Sequence, residues 1–228
     1  MRIVALVPMK EHSERVPNKN LRIFAGKLLC EWVLRMLLEL DEIENIYVDT
    51  DSEKISEIVG SISDRVQIIE RSDELCGDLV SMNRILEYDI QKVEADVYLQ
   101  THSTNPLLAS GTVKRALKAY FPAVESEKYD SLFTVTRHQT RFYQFDGKAV
   151  NHDPKELIPT QHLSPLFEEN SNLYIFSRKS FSQTNSRLGA RPMMFEVNRL
   201  EAVDIDEWAD FLLAEAIESS GMLKNIHF

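Results

Sequence analysis

The sequence predicts an α/β protein in which a mostly parallel sheet is covered by helices on both faces. Short apolar runs with polar breaks alternate along the chain with segments whose apolar residues recur at helical spacing. Strands that alternate with helices in this way form parallel pairs, because each helix carries the chain back across one face of the sheet. The chain of 228 residues can bury one sizeable core, so we expect a single domain over residues 1–228.

Strands and helices are predicted in alternating order. The apolar runs place strands at residues 3–7, 45–51, 66–71, 96–103 and 131–138. The helical spacings place helices at residues 27–40, 52–62, 81–93 and 110–121, with Ser52 as the cap of the second helix. Regular patterning returns at 171–181, and the segment 199–217 closes with a short strand and a helix from Glu207 onward.

The alternation breaks over residues 139–170. This segment is rich in turn residues, and Asp146 followed by Gly147 between apolar-polar stretches predicts a hairpin. So long an irregular segment is uncommon inside a compact core. We therefore expect an arm that packs on a second subunit or covers the site, and not a linker.

Composition and charge exclude several functional classes. The net charge of −10 argues against a general nucleic-acid binder, which normally carries a basic surplus. Two cysteines without metal-ligand spacing indicate a reducing compartment, and Cys30 is expected to be a buried thiol within a helix. The first apolar run is too short for a signal peptide and no stretch approaches membrane-spanning length, so a cytoplasmic protein without membrane contact is expected. The scattered histidines form no triad and no metal cluster: His102, His138, His152 and His162.

The loop after the first strand, VPMKEHSERVPNKNLRIFAGK, is a candidate anion site. Ligands of open α/β sheets bind beyond the carboxyl ends of the strands, where the strand order reverses, and this loop follows the first strand. It matches neither glycine-rich phosphate motif, so side chains have to do the binding. Lys10, Arg15 and Lys19 can give charge-assisted hydrogen bonds to phosphate oxygens, and Ser13 can add a hydroxyl donor. On composition alone, a loop of solvated charges is the simpler explanation.

A pair of aspartates late in the chain is a candidate metal site. Asp204 and Asp206 are two residues apart on a predicted strand, so both carboxylates project from the same face. Paired oxygen ligands next to phosphate groups suit Mg²⁺. The alternative is that Asp206 merely caps the following helix and that Asp204 is exposed.

Motifs in order along most of the chain resemble those of the acylneuraminate cytidylyltransferases, also called CMP-sialic acid synthetases. The loop PMKEHSERVPNKN is similar to the family's A-R-x-x-S-K-x-x-P-x-K-N, with Ser13, Pro17, Lys19 and Asn20 in register. The other matching stretches are DTD from Asp49, RSDELCGDLVS with Arg71, Leu75, Asp78 and Ser81 at the family's spacing, LQTHSTNPLL with Gln100, NSNLYIF from Asn170, and DIDE from Asp204.

The resemblance implies a fold and a reaction. The fold would be a three-layer α/β/α Rossmann-like nucleotidyltransferase fold, with residues 139–170 as a protruding dimerisation arm and a homodimer as the assembly. The reaction would be the Mg²⁺-dependent transfer of CMP from CTP to a sialic-acid-like nonulosonic acid, or to a related 2-keto acid sugar, with release of pyrophosphate. In-line transfer of this kind rests on positioning and electrostatic stabilisation and needs no covalent nucleophile.

The resemblance also implies roles for individual residues. Lys19 would contact the triphosphate and neutralise the transition state, and Lys10 would take the place of the family's loop arginine. The remaining roles are cytidine binding by Asn20, Arg71 and Ser81, acceptor binding by Gln100 and Asn170, and Mg²⁺ binding by Asp204 and Asp206.

Some positions depart from the family pattern. Lysine at position 10 cannot form the bidentate fork of an arginine, while Glu11 and Glu14 add negative charge beside the proposed triphosphate. The family's arginine just before N-G has no evident counterpart, and Glu168 and Glu169 stand near its place. Two other functions therefore stay open: a nucleotidyltransferase of the same fold acting on a sugar phosphate or polyol phosphate, and a non-catalytic nucleotide-binding homologue.

Overall fold

The computed structural model describes residues 1–77 and 79–225 of the chain, so Asp78 of the third motif lies outside the described residues. The strands are β1 (Ile3–Leu6), β2 (Ile23–Phe24), β3 (Lys27–Leu28), β4 (Asn45–Thr50), β5 (Val66–Glu70), β6 (Val97–Gln100), β7 (Ser131–His138), β8 (Leu166–Phe176) and β9 (Pro192–Glu196). The α-helices are α1 (Leu29–Leu38), α2 (Glu53–Gly60), α3 (Met82–Lys92), α4 (Ser110–Glu125), α5 (Arg178–Thr184) and α6 (Trp208–Ser220). Short 3₁₀ turns occupy Lys19–Leu21, Asp73–Leu75, Thr160–His162 and Met222–Asn225.

The main sheet is mostly parallel, which confirms the predicted fold class. Its strand order over the described residues is β5-β4-β1-β6-β8-β7-β9. The strand β8 runs antiparallel to its neighbours β6 and β7, whereas the other pairings are parallel. The chain adds β4 and β5 on one side of β1 and then crosses to place β6 on the other. Ligands of such sheets bind where the order reverses, which here is the gap between β1 and β6.

Helices cover both faces of the sheet, so the fold has three layers. Alternate residues of β1 point to opposite faces, as the pleat requires. Ile3 and Ala5 join a buried apolar cluster with α1, α2 and α4. Val4 and Leu6 join a second cluster with α3 and α5. No helix within the described residues is long and apolar enough to cross a membrane.

The structure confirms two local predictions, the helix cap at Ser52 and the buried thiol of Cys30. Ser52 caps α2, since its side chain accepts a hydrogen bond from the backbone N–H of Ile55 at 3.3 Å. Cys30 is fully buried within α1, and burial raises the pKa of its thiol to about 11. A buried thiol of this kind packs as a small apolar side chain, as expected from its place in the helix.

The start of the first helix differs from the prediction. Residues 27 and 28 form β3, which pairs with β2 in a two-stranded hairpin, and α1 begins only at Leu29. Ala25 and Gly26 form the hairpin turn with positive φ values of 43° and 90°. A two-residue turn with both φ angles positive matches the twist of the flanking strands, which explains why the chain pairs here and does not begin the helix.

The irregular segment is shorter than predicted, because β8 already begins at Leu166 and pairs with β7. The predicted hairpin at Asp146 and Gly147 is present: Tyr143 and Ala149 form an antiparallel bridge, and Gly147 has a positive φ of 84°. A register shift between Phe133 and Val135 interrupts the β7–β8 ladder. A continuous apolar pattern is absent on this half of β8, so the strand could not be recognised from periodicity.

Candidate functional site

The loop after β1 folds back on itself and presents its cations beside β1. It first continues along β4, where the backbone N–H of Met9 donates to the Asp49 carbonyl at 2.8 Å. A 3₁₀ turn then brings Asn20 back, and its amide donates to the carbonyl of Lys10 at 3.0 Å. Ser103, which follows β6, donates to the Asn20 side-chain oxygen at 2.7 Å. Asn20 thus closes the loop and ties it across the gap between β1 and β6.

Lys19 is the buried cation of this loop. Its side chain is only 12 % exposed, and its ammonium group lies 4.0 Å from Asp206 Oδ1. The same group donates a hydrogen bond to the backbone carbonyl of Ile205. Burial lowers the pKa of Lys19, whereas the charges of Asp204 and Asp206 oppose this shift. The loop is therefore not simply a run of solvated charges, although Glu11, Glu14 and Arg15 are exposed.

The segment that carries the two aspartates is extended but is not a strand, so that prediction is wrong. It lies beside the loop after β6, where the backbone N–H of Ile205 donates to the Thr104 carbonyl at 2.9 Å. Within the described residues it pairs with no strand of the main sheet, and the last strand along the chain, β9, ends at Glu196. Ile205 is fully buried between the two carboxylates, and this burial positions the segment.

Asp206 does not cap α6. The cap of that helix is Glu207, and Asp210 accepts the backbone N–H groups of Asp206 and Glu207 at 3.1 and 2.8 Å. The carboxylate of Asp206 is instead directed at the cationic loop and forms an ion pair with Arg15 at 3.0 Å. Both partners of that pair are more than half exposed, so the pair contributes little stability.

Asp204 is partly buried, contrary to the exposed alternative. Burial raises the pKa of its carboxyl group, and a hydrogen bond with Thr104 opposes the shift. Its Oδ1 atom is buried and has no hydrogen-bond partner within the described residues. An acceptor left in this state costs free energy unless a cation or a donor approaches it.

A cavity of about 390 Å³ opens between the loops that follow β1 and β6. It therefore occupies the place where the strand order reverses. Seven of the predicted site residues line it: Lys10, Ser13, Arg15, Lys19, Asn20, Arg71 and Asp206. Glu14 also lines the cavity, whereas Glu11 does not. Three cationic side chains of the loop thus face a space that can receive a polyanion.

Arg71 forms part of the cavity wall and is held from behind by a buried ion pair. Its Nε donates to Asp49 Oδ1, and its Nη2 donates to the carbonyls of Met9 and Asp49 at 3.2 and 3.1 Å. Both side chains are almost completely buried. Arg71 therefore fixes the start of the cationic loop as well as facing the cavity.

Besides Asp204, three predicted residues lie outside the cavity wall. Ser81 is exposed at the start of α3, where its backbone carbonyl accepts the N–H of Arg84 at 3.0 Å. Gln100 is fully buried at the end of β6, and its Oε1 accepts a hydrogen bond from Arg187 at 2.7 Å. Asn170 is buried in β8 and donates to Thr136 at 3.0 Å. Their assignment to cytidine and acceptor stays a prediction.

Residues that sequence reasoning missed lie just beyond β6. His102, Ser103 and Thr104 line the cavity, and Arg187 approaches His102 Nε2 to 3.4 Å. Burial and the charges of Arg187 and Lys19 lower the pKa of His102 to about 3, so its imidazole is neutral. The position of His102 near the end of a predicted strand was the only signal for it, and no local pattern singled out Arg187.

Comparison with known proteins shows the family. The cytidylyltransferase family model matches residues 4–219. Since this match covers nearly the whole chain, the protein belongs to the cytidylyltransferase family. The chain is 28 % identical over 221 residues to N-acylneuraminate cytidylyltransferase A of Danio rerio. It is 25 % identical over 224 residues to the CMP-N,N'-diacetyllegionaminic acid synthase of Legionella pneumophila.

The two relatives differ in length. The matched region is 93 % of this chain and 50 % of the Danio protein, so the chain spans about half the length of that relative. It is 95 % of this chain and 96 % of the Legionella protein. The match to the shorter relative thus covers nearly the whole of both sequences.

Solved structures share the fold. A CMP:2-keto-3-deoxy-manno-octonic acid synthetase in complex with CTP superimposes with a TM-score of 0.69 at 16 % identity, over 96 % of this chain and 99 % of that one. A 4-diphosphocytidyl-2C-methyl-D-erythritol synthase from Anaerococcus prevotii gives a TM-score of 0.67 at 12 % identity, over 96 % of both chains. At such identities the likeness supports the fold alone.

Proposed function

We propose that the protein transfers CMP from CTP to an acid sugar, either a nonulosonic acid or a related 2-keto acid sugar, and releases pyrophosphate. One observation carries the proposal: buried Lys19 faces the Asp204–Asp206 segment at the edge of a cavity lined by further cations. A triphosphate needs cations, and a reacting phosphoryl group also needs carboxylates that hold its metal. The names of the Danio and Legionella relatives, which both indicate CMP transfer to acid sugars, support this acceptor class.

Mg²⁺ binding by Asp204 and Asp206 is part of the proposal. Asp204 Oδ1 is a buried oxygen without a donor, and Asp206 is half exposed beside the cavity. Carboxylate oxygens of this kind fit a hard cation that completes its shell with phosphate oxygens and water. When bound by Asp204 and Asp206, Mg²⁺ would supply positive charge that offsets the negative charge developing on the reacting phosphoryl group. The ion pair between Arg15 and Asp206 is exposed and hence easily exchanged for the metal.

The residues of the chain then act by binding and positioning. Lys10, Ser13 and Arg15 receive oxygens of the triphosphate from the loop side. Lys19, held by the Ile205 carbonyl, places its charge where the leaving pyrophosphate develops negative charge. The acceptor hydroxyl attacks the α-phosphorus, its proton is released, and the bond to the bridging oxygen breaks as pyrophosphate leaves. Arg71 and Asn20 keep the loop in place during this exchange.

A homodimer built through the arm is also part of the proposal. The segment 139–165 exposes large apolar side chains that a monomer would leave in water. Phe145 is 106 % exposed and Leu157 77 %, and Tyr143, Val150 and Ile158 are exposed as well. Apolar groups in this number on one projecting segment are typical of a surface that packs against another chain. A cytoplasmic location is proposed with it, on the basis of the two free cysteines Cys30 and Cys76.

Pyrophosphate release tests the function directly. The protein is incubated with each nucleoside triphosphate, Mg²⁺ and a panel that contains acid sugars, sugar phosphates and polyol phosphates. Release only with CTP and an acid sugar is expected. If pyrophosphate is released only with a phosphorylated acceptor, the acceptor is a sugar phosphate or polyol phosphate and not an acid sugar. Stabilisation by CTP without release on any acceptor would indicate a nucleotide-binding protein without catalysis.

A further inference from the structure

A buried arginine lies next to the site and has no role so far. Arg187 belongs to the connection between α5 and β9, and its side chain is only 14 % exposed. Its guanidinium lies over the ring of Tyr174, with Cζ 3.5 Å from the ring centroid. Stacking of this kind leaves the edge of the guanidinium available for in-plane hydrogen bonds. The side chain is therefore fixed in orientation and keeps its donors.

The backbone around Arg187 is anchored to α3 and to β7. The N–H of Arg187 donates to Asn83 Oδ1 of α3 at 3.3 Å. Ser131 of β7 donates to the carbonyl of Leu188. Gly189 has a positive φ of 64°, and a Cβ atom there would collide with the side chains of Asp130 and Ser131. The connection consequently holds Arg187 in one place, as a preorganised binding group requires.

The charge of Arg187 is incompletely compensated. Its hydrogen bonds within the described residues go to neutral groups, Gln100 Oε1 at 2.7 Å and His102 Nε2 at 3.4 Å. Within the described residues, its one carboxylate partner is Glu169, whose Oε1 lies 3.7 Å away, accepts the hydroxyl of Tyr174 and belongs to a half-exposed side chain. Burial lowers the pKa of Arg187, which expresses the cost of keeping this cation away from water. An anionic ligand would relieve that cost.

Arg187 is linked to the cavity through His102. It contacts His102, which lines the cavity, and the charges of both Arg187 and Lys19 act on that imidazole. His102 is therefore close to the cation of the loop and to that of the connection between α5 and β9. In a 2-keto acid sugar, the carbon that carries the attacking hydroxyl also carries the carboxylate. A group that binds this carboxylate must consequently lie close to the phosphoryl group that is attacked.

We propose that Arg187 binds the carboxylate of the acceptor sugar and determines the preference for acid sugars. The proposal rests on the proposed function, because it assigns a residue to the acceptor of that reaction. It also accounts for the missing counterpart of the family's arginine before N-G, near whose place Glu168 and Glu169 stand. Glu169 lies beside Arg187 in space, so the cation is supplied by a different segment of the chain.

The test compares an acid sugar with its uncharged ester. Steady-state pyrophosphate release is measured with CTP and N-acetylneuraminic acid, N,N'-diacetyllegionaminic acid or 2-keto-3-deoxy-manno-octonic acid, and with the methyl ester of whichever acid reacts. Arg187→Met should raise the KM of the acid roughly 10- to 100-fold, leave the KM of CTP unchanged, and leave the ester unaffected. Arg187→Lys should recover part of the loss. Arg191→Met, an exposed arginine of the same connection, is the matched control and should behave as the unmodified protein.

Calorimetry measures the binding of the same acids in the presence of CMP. Together with the kinetic result, it distinguishes the proposed role of Arg187 from the proposed reaction. If the KM of the acid is unchanged in Arg187→Met, the role of Arg187 is wrong but the proposed reaction is not affected. Arg187→Gln takes the place of this variant if Arg187→Met does not fold. If the unmodified protein binds an acid sugar without turnover, and Arg187→Met abolishes this binding, the role of Arg187 is supported and the proposed reaction is wrong. If no acid sugar reacts or binds, both proposals are wrong.

Discussion

The ammonium group of Lys19 lies 4.0 Å from the Asp206 carboxylate, although the two residues belong to opposite ends of the chain. The hydrogen bond from Lys19 to the carbonyl of Ile205 fixes this arrangement from the side. The ammonium group of Lys19 is thereby held between the cavity and the segment that carries both aspartates. The relationship makes Lys19 the residue whose removal should affect the reaction most selectively.

Lys19→Met should lower kcat for CMP transfer roughly 100-fold or more, because a preorganised charge is lost where the transition state becomes more negative. The far-UV circular dichroism spectrum should not change. Lys54→Met, which removes an exposed lysine of α2, serves as the control and should retain full activity. Comparable kcat values for the two variants would exclude a role of Lys19 in the chemical step.

Asp206→Ala should abolish turnover at ordinary Mg²⁺ concentrations and leave the fold intact. The carboxylate is half exposed, and its ion pair with Arg15 stabilises the fold little, so its loss acts on the metal and not on the core. Activity is measured over a Mg²⁺ titration next to Asp64→Ala, an exposed control near β5. A variant at position 206 that turns over normally at ordinary Mg²⁺ concentrations would contradict the metal assignment.

Glu14→Gln should lower the Kd of CTP about two- to five-fold, as expected when an exposed like charge beside a polyanion is removed. Glu14 lines the cavity, while Glu11 is equally exposed and lies outside its wall. Glu11→Gln is therefore a matched control in the same loop, with a smaller expected effect. Titration calorimetry at low ionic strength measures both values. Equal changes in the two variants would mean that only the net charge of the loop matters.

Asp89→Asn should flatten the pH dependence of stability. Burial and the neighbouring charge of Asp49 raise the pKa of Asp89 from 3.8 to about 9, with Arg71 opposing the shift. Between these values the folded protein keeps a proton that the unfolded chain has released, so the free energy of unfolding falls as the pH rises from 4 towards 9. Asparagine does not titrate, and hence this part of the decline should disappear.

Urea unfolding of both proteins at pH 5 and pH 8 measures this difference, since other titrating groups contribute equally to the two. A parallel decline in the variant would show that Asp89 is already ionised in the folded protein.

Phe145→Glu combined with Leu157→Glu should convert the proposed dimer into a monomer. Both side chains are exposed on the arm, and a carboxylate buried in an apolar interface is strongly disfavoured. Light scattering coupled to size exclusion reports the mass. Met222→Glu, an exposed apolar residue outside the arm, should remain dimeric. A monomeric unmodified protein at micromolar concentration would contradict the proposal.

Local patterns in the sequence predicted the helices and strands that are determined by local interactions. Apolar periodicity is sufficient for buried strands such as β1 and for the helices that cover them, and a serine cap is recognisable next to α2. The segment around Ile205 was misinterpreted, because one buried residue between two aspartates has the pattern of a strand but not its partners. The hairpin of β2 and β3 was missed because its strands are too short for any periodicity.

The candidate site was predicted where charge and motif spacing coincide along the chain. Lys10, Lys19 and Asp206 meet at one cavity as expected from the motifs. Arg187 could not be found in this way, because its importance arises from contacts with Gln100 and Tyr174, which lie far away in sequence. Buried arginines of this kind are visible only when the sheet has brought its strands together.

The cationic loop and the acidic segment share an apolar anchor. Val16 of the loop and Ile205 of the segment are fully buried in one cluster with Phe24 and the inner face of α6. In the proposed reaction the electrical charge in the cavity would change at every turnover, when a triphosphate arrives and pyrophosphate departs. Hydrocarbon packing does not respond to that change. The spacing between the opposing charges should therefore survive each cycle, and little energy should be spent on rebuilding the site between one substrate and the next.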